Sequence, residues 1–227
     1  AEMLPQVLPS LDPEMARPLS ESLTQHRVGL YLGRTVTEIT RAEIDTDVSS
    51  ELVVKLDDGT ALTADFVMMA IGVRPNSGLA VDAGLETGDR EGVKVNERMQ
   101  TSDPDIYAVG DVVQTRHLVL DQEGMIPLAG PANRQGRVAA DNICGLEATY
   151  PGALGTSVVE LFDITAGSSG ATETRLKQDG IDDRKIYIHP LSHAGYYPGA
   201  QPLAMKLLFN DDGAILGVQA VGRDGVD

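Results

Sequence analysis

Apolar and polar positions recur along this chain in several distinct rhythms, and each rhythm predicts an element. Residues 12–26 set Met15, Leu19 and Leu23 at helical spacing, which predicts an amphipathic helix. Asp12 stands at its cap position and Pro13 at its first position, both suited to a helix start. Pro18, further in, is expected to kink the helix or weaken its first turns. Strand-like runs follow at 28–33, 35–40 and 51–58, and Asp58-Gly59 predicts a hairpin turn into 61–72. Within the last stretch, Phe66–Ile71 holds no polar residue, so it reads as a strand covered on both faces, as in a parallel sheet.

A small helix ("GLAVDAGL") and a short strand ("GVKVN") lead to "TSDPDIYAVGDVVQ", residues 101–114. Here Ile106–Val109 reads as a buried strand ending in Gly110-Asp111, which sets a carboxylate at the mouth of a sheet. The next stretch, to residue 130, reads as a loop. A helix is predicted from Pro131 to about Cys144, with the small residues Ala132, Gly136, Ala139 and Ala140, plus Ile143, on a close-packing face. Composition shifts at 149–157, a linker. Beyond it, "SVVEL", "KIYIH", "LAMKLLF" and "AILGVQAVG" read as strands around one short helix, "TETRLKQ", stopped by Gly180. Strands in succession with a tight "NDDGA" turn predict an antiparallel α+β domain.

Composition narrows the functions open to such a chain. A formal charge of -16 over 227 residues opposes binding to nucleic acid or to an anionic membrane surface. The single cysteine, Cys144, permits no internal disulfide, dithiol pair or cysteine-rich zinc site; its place late in a helix reads as a small core residue. His193 has no second ligand at a useful spacing, so no metal is expected. No apolar run approaches the roughly 18 residues that span a bilayer, and the expected location is the cytoplasm.

The candidate chemistry centres on Asp111. An ionised Asp beside a glycine is a strong acceptor for neighbouring hydroxyls, such as those of a ribose or ribitol. A nucleotide site would also want a glycine-rich turn opening a helix, yet among 24 glycines no two stand two apart. At this point the motifs carry a resemblance. "TSDPDIYAVGD" resembles the second flavin fingerprint of the FAD-dependent pyridine nucleotide-disulfide oxidoreductases, and "FVMMAIGVRPN" is similar to the end of their NAD domain. "PLAGPANRQGRVAADNI" resembles their flavin-facing helix, and "HAGYYPGA" resembles the interface domain of the coenzyme A-disulfide and persulfide reductase branch.

The resemblance implies roles residue by residue. Asp111 would hydrogen-bond a ribitol hydroxyl of FAD, with Gly110 letting the cofactor approach the backbone. Leu128, Ala129 and Gly130, before the helix at Pro131, would turn free amides toward the electron-rich edge of the flavin. Glu2 would accept the adenosine ribose hydroxyls of NADH, and Ile71 and Gly72 would lie along its nicotinamide. Asn133 and Arg134 would sit near a thiol substrate, with Arg137 a solvated helix charge. Ser192, His193, Tyr196 and Tyr197 would form a substrate-side loop at the partner subunit's active site, where a phenol can donate a proton to a departing thiolate.

The expected fold is α/β plus α+β: the C-terminal parts of Rossmann-like NAD-binding (1–75) and FAD-binding (76–150) domains, then an antiparallel-sheet dimerisation domain (151–227). On this reading the chain opens within the NAD domain, after the FAD turn and the catalytic cysteine, and ends before the last interface helices. The implied parent is a homodimeric, NADH-using, FAD-dependent disulfide or persulfide reductase for coenzyme A-type thiols. The alternatives are an NADH oxidase or peroxidase of the same superfamily, or, for these residues alone, a non-catalytic dimerisation or folding module.

Overall fold

The computed structural model describes residues 1–41 and 52–226; Glu51, the first residue of the strand predicted over 51–58, lies outside them. Contacts divide the chain into two units, Ala1–Gly72 with Leu161–Ile164, and Val73–Glu160 with Thr165–Asp227.

In the first unit, helix α1 spans Pro13–Gln25. Met15 and Leu19 of the predicted face are buried, with Ala16 beside them, and Leu23 is half-buried. The helix continues through Pro18, which removes one donor near its start without ending it. Strands β1 (Val36–Arg41), β2 (Leu52–Leu56) and β3 (Ala61–Ala64) form an antiparallel meander, pairing Ile39 with Val54 and Leu52 with Ala64. The Asp58-Gly59 turn forms as predicted: the Asp58 carboxylate accepts from the Thr60 amide at 3.0 Å. Residues 28–33 make no strand, only a bridge between Glu2 and Leu32. Phe66–Ile71 makes none either, and Met68 and Ile71 are 79% and 84% exposed. The expectation of a strand covered on both faces is therefore corrected: no described strand lies beside this run to complete a ladder, so its apolar composition finds nothing to pack on.

The second unit opens with the short helix α2 (Gly78–Asp82). The predicted strands at 92–96 and 106–109 are replaced by isolated bridges, among them Val93–Val113 and Gln100–Tyr107. One hydrogen bond from Ala108 to Met99 (3.1 Å) and one from Thr101 to Ile106 (2.9 Å) hold the chain there. The stretch predicted as a loop contains a hairpin, β4 (Gln114–His117) with β5 (Gln122–Met125). Helix α3 spans Ala129–Ile143, beginning two residues before Pro131. Its buried face is Gln135, Ala139 and Asn142; of the expected stripe Ala139 is buried and Ala132 and Gly136 half-buried, while Ala140 and Ile143 are exposed, and exposed Cys144 corrects its core reading. Two amide side chains with internal partners take the places assigned to small apolar residues.

Residues 149–157 are no free linker. Tyr150 and Ala153 are buried in one cluster with Met99 and Ala139, and the Tyr150 amide donates to the Glu97 carbonyl at 2.8 Å. After them come β6 (Ser157–Leu161), β7 (Ile164–Gly170), α4 (Glu173–Gln178), β8 (Arg184–Ile188), β9 (Leu203–Phe209) and β10 (Ile215–Gly222). The five strands form one sheet in the order β6-β7-β10-β9-β8. Where β10 pairs with the end of β7, there is no room for a side chain at Gly217, whose added Cβ would stand 2.0 Å from the Ala171 carbonyl oxygen. Helix α4, capped by the Thr172 hydroxyl, buries Leu176 against Leu208 and Ala171.

Candidate functional site

The site is built where the Gly110-Asp111 turn meets the start of α3. Gly110–Val112 is a single 3₁₀ turn following extended Val109. Gly110 has φ +82, a left-handed conformation that costs other residues roughly 1–2 kcal/mol. A Cβ there would contact Ala132 at 3.7 Å, so turn and helix lie close together. The Gly110 amide donates to Oε1 of Gln135 at 2.7 Å, while Nε2 of Gln135 donates to the Thr115 hydroxyl at 2.9 Å.

Asp111, the residue after this anchored glycine, is exposed, and its carboxylate has no partner among the described residues. At the helix start the Leu128 amide is already used, donating to the Ile126 carbonyl at 2.8 Å. This corrects its expected place among the free amides. Ala129 and Gly130 occupy the first helical positions and have no acceptor among the described residues; Pro131 carries no N–H. Asp111 therefore lies, unpartnered among the described residues, on a turn packed against α3, and two amides without an acceptor stand at the positive end of that 15-residue helix. That donor set suits a ligand with neighbouring hydroxyls and an electron-rich edge, which fits FAD. Two open clefts in this unit, both lined by Gln114 and Glu123, include none of Asp111, Ala129 and Gly130.

The other candidates lie apart from this arrangement in character. Asn133, Arg134 and Arg137 are exposed on α3. Burial pushes the Tyr150 phenol up while the Arg134 charge pulls it down. Ser192–Tyr197 belong to the β8–β9 connection, where the Ser192 amide donates to the Gln201 carbonyl at 2.7 Å. Tyr196 and Tyr197 are exposed and tilted against each other at 4.6 Å; the His193 ring meets Tyr197 edge-on at 6.5 Å. In the first unit, Oε1 of Glu2 accepts from the Leu4 amide at 2.9 Å, Ile71 is exposed, and Gly72 has φ +93. The residue sequence reasoning passed over is Gln135. Its signal was available: Ala132, Gln135, Ala139 and Asn142 share one helix face at 3-4-3 spacing.

A turn opening on Gly-Asp, packed against a helix and followed by an antiparallel α+β domain, is the arrangement that the resemblance to the flavin-dependent family implies. The chain belongs to the pyridine nucleotide-disulphide oxidoreductase family, whose model matches residues 1–136, with the family's dimerisation-domain model matching 156–227. It is 38% identical to the NAD(P)H sulfur oxidoreductase (CoA-dependent) of Pyrococcus abyssi over 95% of this chain and 47% of that protein. It is 29% identical to a coenzyme A disulfide reductase of Staphylococcus aureus over 96% and 47%. Among solved structures, the NAD-dependent persulfide reductase from A. fulgidus matches with a TM-score of 0.93 and 34% identity, covering 99% of this chain and 41% of that one. The reduced Bacillus anthracis CoADR-RHD matches at 0.91 and 45% identity, covering 99% and 39%. The chain thus spans about half the length, or less, of these relatives. Among the described residues, no helix is long and apolar enough to cross a membrane.

Proposed function

We propose that these residues form part of a cytoplasmic, homodimeric, FAD-dependent enzyme that uses NADH to reduce a disulfide or persulfide of a coenzyme A-type thiol. The observation that carries the reading is that the exposed Asp111 sits on a turn packed against the same helix, α3, whose first amides, Ala129 and Gly130, have no acceptor among the described residues. Relatives named for coenzyme A disulfide and persulfide reduction support the substrate class, and the dimerisation-domain match supports the homodimer. When bound, the flavin supplies the electron transfer between nicotinamide and sulfur. This chain's part is to hold and polarise. Asp111 accepts ribitol hydroxyls, Gly110 opens the backbone to the cofactor, and Ala129 and Gly130 donate toward the ring edge. Glu2, with Ile71 and Gly72, serves NADH. Asn133 and Arg134 meet the thiol, and the loop of Ser192, His193, Tyr196 and Tyr197 reaches a partner's site, where a phenol protonates the leaving thiolate. The functional division falls at 1–75, 76–150 and 151–227.

The test is made on the full-length flavoprotein. Near-stoichiometric flavin in the visible spectrum, and NADH-dependent loss of coenzyme A disulfide or persulfide faster than oxygen consumption, are expected. Asp111→Ala should weaken flavin binding about tenfold or more, as loss of a charge-assisted hydrogen bond does. Absence of flavin from the intact protein would defeat the reading. Oxygen as the preferred acceptor would favour a second one, NADH oxidation, which the 37% identity to a Methanocaldococcus jannaschii NADH oxidase makes specific.

A further inference from the structure

We infer that Gln135 is a positioning residue for the flavin site: its buried amide locks the Gly110-Asp111 turn to α3, fixing the Asp111 carboxylate relative to the helix-start amides of Ala129 and Gly130. This rests on the flavin reading above and deepens it. Gln135 is 1% exposed, a burial that a polar side chain tolerates only with its donors and acceptors used. The Gly110 amide can only donate, so it sets the orientation of the Gln135 side chain with Oε1 toward the turn, at 2.7 Å. Nε2 is thereby aimed at the Thr115 hydroxyl, 2.9 Å away on β4. One side chain thus ties three elements together: the turn, the strand after it and the helix that carries the free amides.

The placement has a chemical consequence. Gly110 adopts a left-handed conformation, and a glycine loses more conformational freedom on ordering than any other residue. Without a fixed acceptor for its amide, the turn could sample other conformations and carry Asp111 away from the helix start. The two groups proposed to hold the flavin sit on different elements, and a cofactor binds tightly only if they are set before it arrives. The hydrogen bonds of Gln135 go to the Gly110 amide and the Thr115 hydroxyl; it acts through the backbone.

The experiment measures flavin dissociation constants in full-length apoprotein reconstituted with FAD, alongside thermal melting of the apoprotein. Gln135→Met keeps the volume and removes both hydrogen bonds, stranding the Gly110 amide. It should weaken flavin binding about tenfold. Gln135→Glu keeps an acceptor for Gly110 and lets the Thr115 hydroxyl turn to donate to its second oxygen. It should restore most of the affinity. Thr115→Val releases only the outer anchor and should show a smaller loss, so the inference stays open to test even if the Met variant does not fold. Wild-type flavin affinity in the Met and Val variants overturns the inference, as does an equal loss in the Glu and Met variants. A wild-type protein that binds no flavin sinks the parent reading instead, and the two failures are distinct.

Discussion

Two apolar runs of this chain meet opposite fates. "LAMKLLF" (203–209) becomes β9, the strand between β10 and β8, with Leu203 and Leu208 buried. "FVMMAI" (66–71), the more apolar of the two, makes no strand and stands largely exposed. Composition would rank them the other way, since β9 even carries a lysine, Lys206, and that lysine is 0% exposed. The difference lies in partners. β9 has ladder neighbours on both sides, which use its backbone donors and acceptors, and a carboxylate that meets its lysine. An apolar run states a need for cover; neighbours decide whether it is met.

The largest expected effect comes from removing the partner that lets β9 bury a charge. Glu173 receives Lys185 at 2.6 Å and Lys206 at 2.6 Å, with Lys177 also bound to it. Hydrogen bonds from Lys177, Lys185 and Lys206 hold the Glu173 carboxyl down at about 2, from an ordinary 4.5. Glu173→Ala should destabilise the protein by about 3–5 kcal/mol in urea denaturation, the usual cost of breaking a buried ion pair from one side. Pairing it with Lys206→Met should recover much of that loss. The sign with pH follows from the lowered carboxyl: the stabilisation is complete above pH 4.5 and is lost as pH falls through about 2. Across that window the wild type should lose about 3 kcal/mol more than Glu173→Gln. A parallel profile in the two proteins would remove Glu173 from the account.

The comparison itself is sharpened by matched truncations. Leu208, fully buried against Leu176, should cost about 2–5 kcal/mol when cut to alanine. Met68→Ser with Met69→Ser, at positions 79% and 60% exposed, should change the stability of the 227-residue chain by no more than about 0.5 kcal/mol. It should also reduce self-association, because it shrinks an exposed apolar patch. A loss of about 2 kcal/mol or more from the serine pair would break the comparison, since it would mean the run is covered after all.

The five-stranded sheet was the legible part, and the reason is local. β9 is read from the sequence at its observed bounds because apolar residues and the Asn210–Ala214 turn mark it from both directions. β7, "ITAGSSG", escaped notice: only Ala166 is buried in it, and its place is set by Ser and Gly residues pairing with β10. The β4–β5 hairpin escaped for the same reason, as "QTRH" and "QEGM" show no apolar alternation. At the candidate site, Gly110 and Asp111 stood out because a Gly-Asp pair after an apolar run is unusual chemistry in one dimension. Gln135 did not, because what makes it matter is a hydrogen bond across 25 residues, and polarity on a helix normally signals solvent. The spurious strand at 106–109 shows the converse: Tyr107 and Val109 are apolar because they cover the Met99–Ala139 cluster, a job that needs no ladder.

The smallest expected effect concerns how the second unit holds the β4–β5 hairpin, a piece with almost no apolar signal of its own. Nδ1 of His117 accepts from the amides of Val119 and Leu120, each at 3.3 Å, and Val119 and Leu120 pack on the cluster of Leu176 and Leu208. Accepting two amides requires Nδ1 unprotonated. Burial, and then the Arg175 charge, push the His117 imidazole below its ordinary value of 6.5. The neutral ring therefore stabilises the fold fully above pH 6.5, and that contribution fades as pH falls through the lowered value. His117→Asn places a side-chain oxygen where Nδ1 sits, the geometry of an Asx turn, and cannot titrate. It should cost under about 1 kcal/mol at pH 8, mainly from its poorer fit to a strand. Between pH 8 and 5 its melting temperature should fall less than that of the wild type. If the two fall in parallel, the hairpin is held by its apolar contacts alone, as β9 is held by its neighbours, and the ring nitrogen adds nothing to it.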